Sequence, residues 1–348
     1  MLIRVHPWFN RGLGRMNVVF TTLVLLLGVP MVVVGAETAQ LYAAVGMTKA
    51  QKNSAVPTDS GLYRRERDGE WRHFGPRILG IATVAGQPGA PGVLLMGSAD
   101  GVIRSVDGGG TWRKTTGWQV ADVRSLAFDR NQPNRVYAAT LWGPIRSEDG
   151  GATWSLAQAG LTELYCQTVV ADRSRIHRVI LGTADGVFVS TDGAVTWNRV
   201  PSPSTTILRL AQSEADPRLL IAGTQHRGAW ISRDAGETWV ATDPASAAAN
   251  LYAVALHRRD AAVLAVGGWS QGVRVSGDGG ATWQDRSAGL PVRNVLVLAF
   301  DPDMDGRLWA STFEEGTFFS DDLGRTWKSG GLYGAHGFDF SFLPAPLR

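Results

Sequence analysis

The chain has 348 residues, 44% hydrophobic and 19% charged, with 42 glycines, 13 tryptophans and one cysteine. That balance excludes disorder, collagen and a multi-span membrane protein, and a lone Cys166 excludes an internal disulfide or a cysteine-rich metal site. The formal charge is +3, yet Arg4, Arg11 and Arg15 fall within residues 1–36, which hold no acid, so the body carries 31 bases against 31 acids. No basic cluster stands out to hold nucleic acid, and that class of partner is set aside.

The first element is a leader. Its basic start is followed by an apolar run from Val18 to Ala36 that ends in small residues. This layout predicts export of the body, to a periplasmic, extracellular or lumenal space. Val34-Gly35-Ala36 suits cleavage before Glu37, while the length of the run leaves an uncleaved membrane anchor open. A strand beginning at Leu41 would leave almost no tether, which favours cleavage. Any contact with a membrane is expected through this segment alone, and residues 37–348 are expected to form a single domain.

Six copies of one octapeptide then organise the body. They are SVDGGGTW (105–112), SEDGGATW (147–154), STDGAVTW (190–197), SRDAGETW (232–239), SGDGGATW (276–283) and SDDLGRTW (320–327). A worn seventh, RDGEW, places Asp68 and Trp71 ahead of them. The tryptophans recur at 41, 42, 43, 42, 44 and 44 residues, the period of one four-stranded propeller blade. Each period holds four short β-branched or aromatic runs with turns between them, as in VRSLAFD (123–129), RVYAAT (135–140), PIRS (144–147) and TWSLA (153–157). The octapeptide falls at the third turn, where glycines permit positive φ and Asp accepts turn N–H groups. An all-β, seven-bladed propeller follows. LYAAV (41–45) reads as the second strand of the first blade and GFDFSFLP (337–344) as its innermost strand, so the C-terminus closes the ring.

The octapeptides are Asp-boxes, and the chain resembles the Asp-box (BNR-like) β-propeller superfamily over roughly residues 60 to 330. That superfamily includes sialidases, xyloglucanase-type glycosidases, sortilin-like receptors and photosystem II assembly factors, so the resemblance implies the fold and leaves the function open. It also implies that Asp107, Asp149, Asp192, Asp234, Asp278 and Asp322 are structural, on the side away from the ligand face. Their glycine-rich spacing does not make a calcium loop.

A ligand face is therefore expected from the second-to-third strand loops and the blade-to-blade loops. The former carry Asp100, Trp142, Asp185, His226, Arg227, Trp269, Gln271, Glu314 and Glu315. The latter carry Trp118, Asp122, Glu163, Tyr165, Arg293, Asn294 and His336. Aromatic side chains in loops have little core to fill and suit a sugar or a peptide. Aligning the inner strands gives a channel column of Gly80, Ser125, Thr168, Arg209, Ala253, Val297 and Asp339. A second column holds Ala82, Ala127, Val170, Ala211, Ala255, Ala299 and Ser341. Arg209 and Asp339 are the charged exceptions in the first column and are read as a structural pair across the channel.

Two functions remain. A sialidase needs three arginines on a carboxylate with a Tyr–Glu nucleophile, and this column offers one arginine. A glycosidase needs two carboxylates on one face, for which Glu163, Asp185, Glu314 and Glu315 are the candidates. Cys166 has no His near it in sequence, no phosphate-cradling loop precedes a helix, and six scattered histidines offer no metal spacing. The favoured expectation is an exported, non-enzymatic binding or assembly scaffold without metal or cofactor. Its propeller face would meet a protein or glycan partner through Trp118, Trp142, Tyr165, His226, Arg227, Trp269, Arg209 and Asp339. The alternative is a glycan-active hydrolase, glycosidase or sialidase-like, with carboxylates at the channel.

Overall fold

The computed structural model describes residues 38–47 and 59–344; the expected leader over 1–36 lies outside the described residues. Twenty-eight strands, β1 to β28, form seven four-stranded antiparallel sheets, and the one helical element among the described residues is a 3₁₀ turn at Pro244–Ser246. Blade 1 joins β28 (Ala335–Pro344), β1 (Ala39–Met47), β2 (Gly61–Arg65) and β3 (Trp71–Phe74), in that order. Both ends of the ring thus sit in one sheet, with Ala39 opposite Pro344 and Ala44 opposite Asp339. The six later blades run in simple order. Their inner strands are β4 (Ile81–Gly86), β8 (Val123–Phe128), β12 (Cys166–Ala171), β16 (Ile207–Gln212), β20 (Leu251–Leu256) and β24 (Val295–Phe300). Second strands such as VYAAT (136–140), VILGT (179–183) and LIAGT (220–224) are buried at every residue, because neighbouring blades cover both faces of each sheet.

All seven inner strands carry the same irregularity in register, which skips one residue near the strand start. Such bulges re-aim side chains. They also correct the channel columns. Opposite Gly97 stands Thr83, just as Ser125 stands opposite Ala139 and Arg209 opposite Gly223. The first column therefore begins at Thr83 and the second at Ala85. Gly80 precedes β4 with φ of 74°, and Ala82 is the skipped residue.

The octapeptide turns repeat one hydrogen-bond network. In the first, Ser105 Oγ donates to Asp107 Oδ1 (2.8 Å), Thr111 N–H to Oδ1 (2.8 Å) and Thr111 Oγ1 to Oδ2 (2.7 Å), while Gly109 N–H donates to Ser105 Oγ (2.9 Å). Asp149, Asp192, Asp234, Asp278 and Asp322 are held by the same Ser and Thr positions. Several box tryptophans reach the preceding blade, where Trp197 Nε1 donates to the Ala157 carbonyl and Trp327 Nε1 to that of Arg286, both at 2.7 Å. Trp71 does likewise across the closure, donating to the Gly330 carbonyl at 2.6 Å.

These networks make stability acid-sensitive. The N–H and hydroxyl of Thr111 and the Ser105 hydroxyl draw Asp107 down to about 2, and Thr282 with Ser276 draws Asp278 to about 2. Asp322 also lies at about 2 through Ser320 and Thr326, as does Asp192, where Thr196 and Ser190 overcome the opposing effect of burial. A carboxylate with a depressed folded pKa stabilises the fold above its unfolded value near 4 and stops doing so as the pH falls through its folded value. Stability measured by denaturant titration is therefore expected to fall between about pH 4 and 2 through these carboxylates, beyond the smaller loss below about pH 6 that follows from burial holding the His73 imidazole under its usual value. Stability that stays level between about pH 4 and 2 would contradict this assignment.

Candidate functional site

Antiparallel connectivity gives the ring two distinct faces. The first and third turns of every blade lie on one, the box face, while the second turns and blade-to-blade loops lie on the other, the loop face. On the loop face Trp118, Trp142 and Trp269 are 87%, 65% and 43% exposed, and Tyr165, Tyr333, His226 and Arg227 are exposed on the same face. Trp118, Trp142 and Tyr165 come from the loops before, within and after blade 3, which runs from Val123 to Leu156. A second aromatic group crosses blades 6, 7 and 1. Trp269 packs edge-on against Phe313 (5.2 Å between centroids), Phe313 stacks on His336 (5.6 Å), and His336 meets Phe338 edge-on (5.1 Å). Phe313 and Phe338 escape notice in the sequence because each sits in a strand-like apolar stretch. The bulge in β28 is what turns Phe338 outward, leaving it 37% exposed. His336 is the second residue of β28 rather than a loop residue, because β28 begins earlier than the alternation suggests.

Several polar candidates on this face are committed to holding loops. The Asn294 side chain accepts the Ser270 N–H (2.8 Å), and Arg293 pairs with Asp285 (2.6 Å). Glu163 Oε1 accepts the Tyr165 N–H (2.8 Å), and Asp185 pairs with Arg199 (3.4 Å). Glu314 occupies the left-handed region with φ of 61°, at the tip of the turn it shares with Glu315. Glu163 lies in the loop before blade 4 and Asp185 in that blade's second turn, while Glu314 and Glu315 lie on blade 7, three blades round the ring. Cys166 is buried at the start of β12, and burial, with the nearby Glu163 charge, pushes its thiol up to about 12, which keeps it protonated. Among the described residues no group of three His, Cys, Asp or Glu side chains lies close enough to hold a metal ion.

Inside the channel, Arg209 of blade 5 donates to Asp339 of blade 1. Those blades are not neighbours, so the bond spans the channel. Asp339 Oδ2 also accepts from Thr83 Oγ1 (2.9 Å) and Ser341 Oγ (2.8 Å), which ties three inner strands to one carboxylate.

A large cavity opens on the box face, not the loop face. It holds about 690 Å³ and takes lining residues from all seven inner strands or the turns that follow them, with Ala85, Ala211 and Ser341 of the second column among them. Arg209 and Asp339 lie two residues deeper along their strands. At the cavity rim three arginines converge on one carboxylate: Arg130 and Arg173 reach Glu214 Oε1 at 2.9 Å each, and Arg258 reaches Oε2 at 3.0 Å. Burial alone would raise the Glu214 carboxyl, but the charges of Arg173, Arg130 and Arg258 outweigh it and hold it low. Burial, and then the charge of Arg130, holds Arg173 below its usual value. The sequence contains a signal for this cluster. Two residues beyond the inner strands of blades 2 to 7 stand Pro88, Arg130, Arg173, Glu214, Arg258 and Pro302, one aligned position.

No family model and no curated protein sequence matches the chain. Solved structures do. The chain is similar to the GH74 enzyme of Niastella koreensis, with TM-score 0.67 and 20% identity over 84% of this chain and 54% of that one. The GH74 xyloglucanase from Xanthomonas campestris gives TM-score 0.67 and 18% identity over 86% and 53%. YCF48 bound to D1 peptide gives TM-score 0.53 and 16% identity over 71% and 84%. The chain spans about half the length of these two GH74 enzymes. At such identities the likeness establishes the propeller alone.

Proposed function

We propose that the chain is a non-enzymatic binding scaffold, exported by way of residues 1–36, whose loop face receives a protein or glycan partner. The observation that carries this reading is the exposure of Trp118, Trp142 and Trp269 on one face of a rigid ring. Large aromatic rings left largely in water at loop positions bury little of their own surface, whereas they anchor partners that cover them. The similar structures include one whose partner is a peptide and one called a xyloglucanase, so both partner classes enter the test. Glu163 and Asp185, two of the four candidate carboxylates, are tied to neighbours in their own loops, which gives the reading further support.

Glycan and peptide arrays probed with residues 37–348 are expected to show saturable binding to one class. Trp118→Ala together with Trp142→Ala is expected to weaken that binding at least roughly tenfold, the loss typical of an interface anchor. The thermal midpoint should not move, since both rings are exposed. Binding that survives the double substitution would overturn the assignment of the face.

A further inference from the structure

The box-face cavity is independent of the loop face, and its rim has an excess of positive charge. Arg130, Arg173 and Arg258 face Glu214, and the only other carboxylate lining the cavity among the described residues, Asp303, accepts the Ala39 N–H at 2.6 Å. Each guanidinium offers five N–H donors. Among the described residues, none of the three has an ion pair other than that to Glu214. Three like charges are thus gathered around one short carboxylate that cannot use all their donors.

The cluster is also built rather than incidental. The Arg173 N–H donates to Gln212 Oε1 (2.9 Å), and Gln212 Nε2 donates to Asp172 Oδ1 (3.1 Å) and to the Pro217 carbonyl (2.7 Å). Asp172 in turn pairs with the buried Arg178 at 2.8 Å. The backbone of the turn carrying Arg173 is therefore held from beneath by buried polar groups. Behind the rim the cavity wall includes Phe128, Leu256, Phe300, Phe342 and Leu343, and its volume is that of a small-molecule pocket.

We propose that this cavity is a binding site for a small organic oxyanion. Arg130, Arg173 and Arg258 hold its carboxylate or phosphate group, and its apolar part rests against Phe128, Leu256 and Phe300. Planar guanidinium forks match either group in two-point geometry. Glu214 stands where the ligand's oxyanion would go and keeps the three arginines together.

The test is calorimetric titration of residues 37–348 with phenylacetate and with phenyl phosphate, the two arms distinguishing a carboxylate from a phosphate ligand. One or both are expected to saturate at millimolar concentration or below and to weaken with added salt. Arg130→Ala and Arg258→Ala, both at exposed rim positions, are each expected to weaken binding at least roughly tenfold, as loss of a charge-assisted contact does. Glu214→Gln, which removes the internal competitor, is expected to tighten it several-fold. A merely structural cluster would show no such gain. Saturation by neither probe, in the wild type and in Glu214→Gln, would overturn the proposal, as would binding indifferent to both arginine substitutions. Because the loop-face assay reads a different surface, failure here leaves that reading separately testable.

Discussion

Removal of residues 335–348 is expected to abolish cooperative folding. β28 is the inner strand of blade 1, and Phe340, Leu343 and Ala335 are buried within it. Losing the two large side chains alone costs roughly 5–10 kcal/mol, as much as the whole stability of many domains. The β1 edge would lie open to other chains, and the Asp339 carboxylate that ties Thr83, Ser341 and Arg209 would be gone. Near-UV circular dichroism and sedimentation should show a molten or aggregated product. Circular permutation separates closure from chain order. Since Pro344 lies opposite Ala39 in antiparallel register, an Asn-Gly turn can join them, giving a permuted chain that starts at Ala335 and ends at Tyr333. That permutant is expected to fold to the same ring, with a thermal midpoint close to that of the parent. A well-folded truncation, or an unfolded permutant, would contradict the closure described above.

Asp172→Ala is expected to destabilise the protein by about 3–5 kcal/mol, the loss seen when one partner of a buried ion pair is removed. Both partners are inside, with side-chain exposures of 0% for Asp172 and 2% for Arg178. The substitution strands Arg178 with only the half-exposed Glu237 and the Ala235 carbonyl as acceptors. It also removes the acceptor of the Ser174 N–H (2.8 Å) and of Gln212. Asp172→Asn keeps neutral acceptors for those donors and should cost less. Replacing both partners together, Asp172→Leu with Arg178→Met, is expected to recover most of the loss, because no uncompensated charge remains buried. Chemical denaturation of the parent and the three variants measures this directly. A cost below about 1 kcal/mol for Asp172→Ala would place the pair among weak surface interactions.

The propeller is legible in the sequence because a repeat multiplies weak signals. One octapeptide is a turn, whereas six in register at a blade's length leave one architecture. Closure is legible for the same reason, since LYAAV and GFDFSFLP resemble strands whose places in the repeat are known. Blade 2 shows where alignment fails. Gly80 is small, like much of the first column, and the Ile78-Leu79-Gly80 run offers a false frame; only the bulge between Ile81 and Thr83 fixes the true one. Ala194, Ala235 and Leu323 carry the other lesson. They take left-handed φ values of 63°, 64° and 58° at turn positions where other boxes use glycine, so the network of Ser, Asp and Thr imposes the turn even against a side chain's preference. The loop-face tryptophans are visible as aromatics without a core position. The arginine rim shows only once the blades are aligned, as Arg130, Arg173, Glu214 and Arg258 at one repeat position, because its ion pairs join first turns of different blades and nothing local in ADR (171–173) or QSE (212–214) shows that these ends meet.

The most direct test of the scaffold reading is hydrolysis by the purified body, residues 37–348, of an oligosaccharide panel that includes sialosides and β-glucans. No turnover is expected, alongside saturable binding that depends on Trp118 and Trp142. Turnover that disappears when Glu163, Asp185, Glu314 or Glu315 is replaced by Ala would contradict the scaffold and establish a glycan-active hydrolase with its carboxylates at the channel.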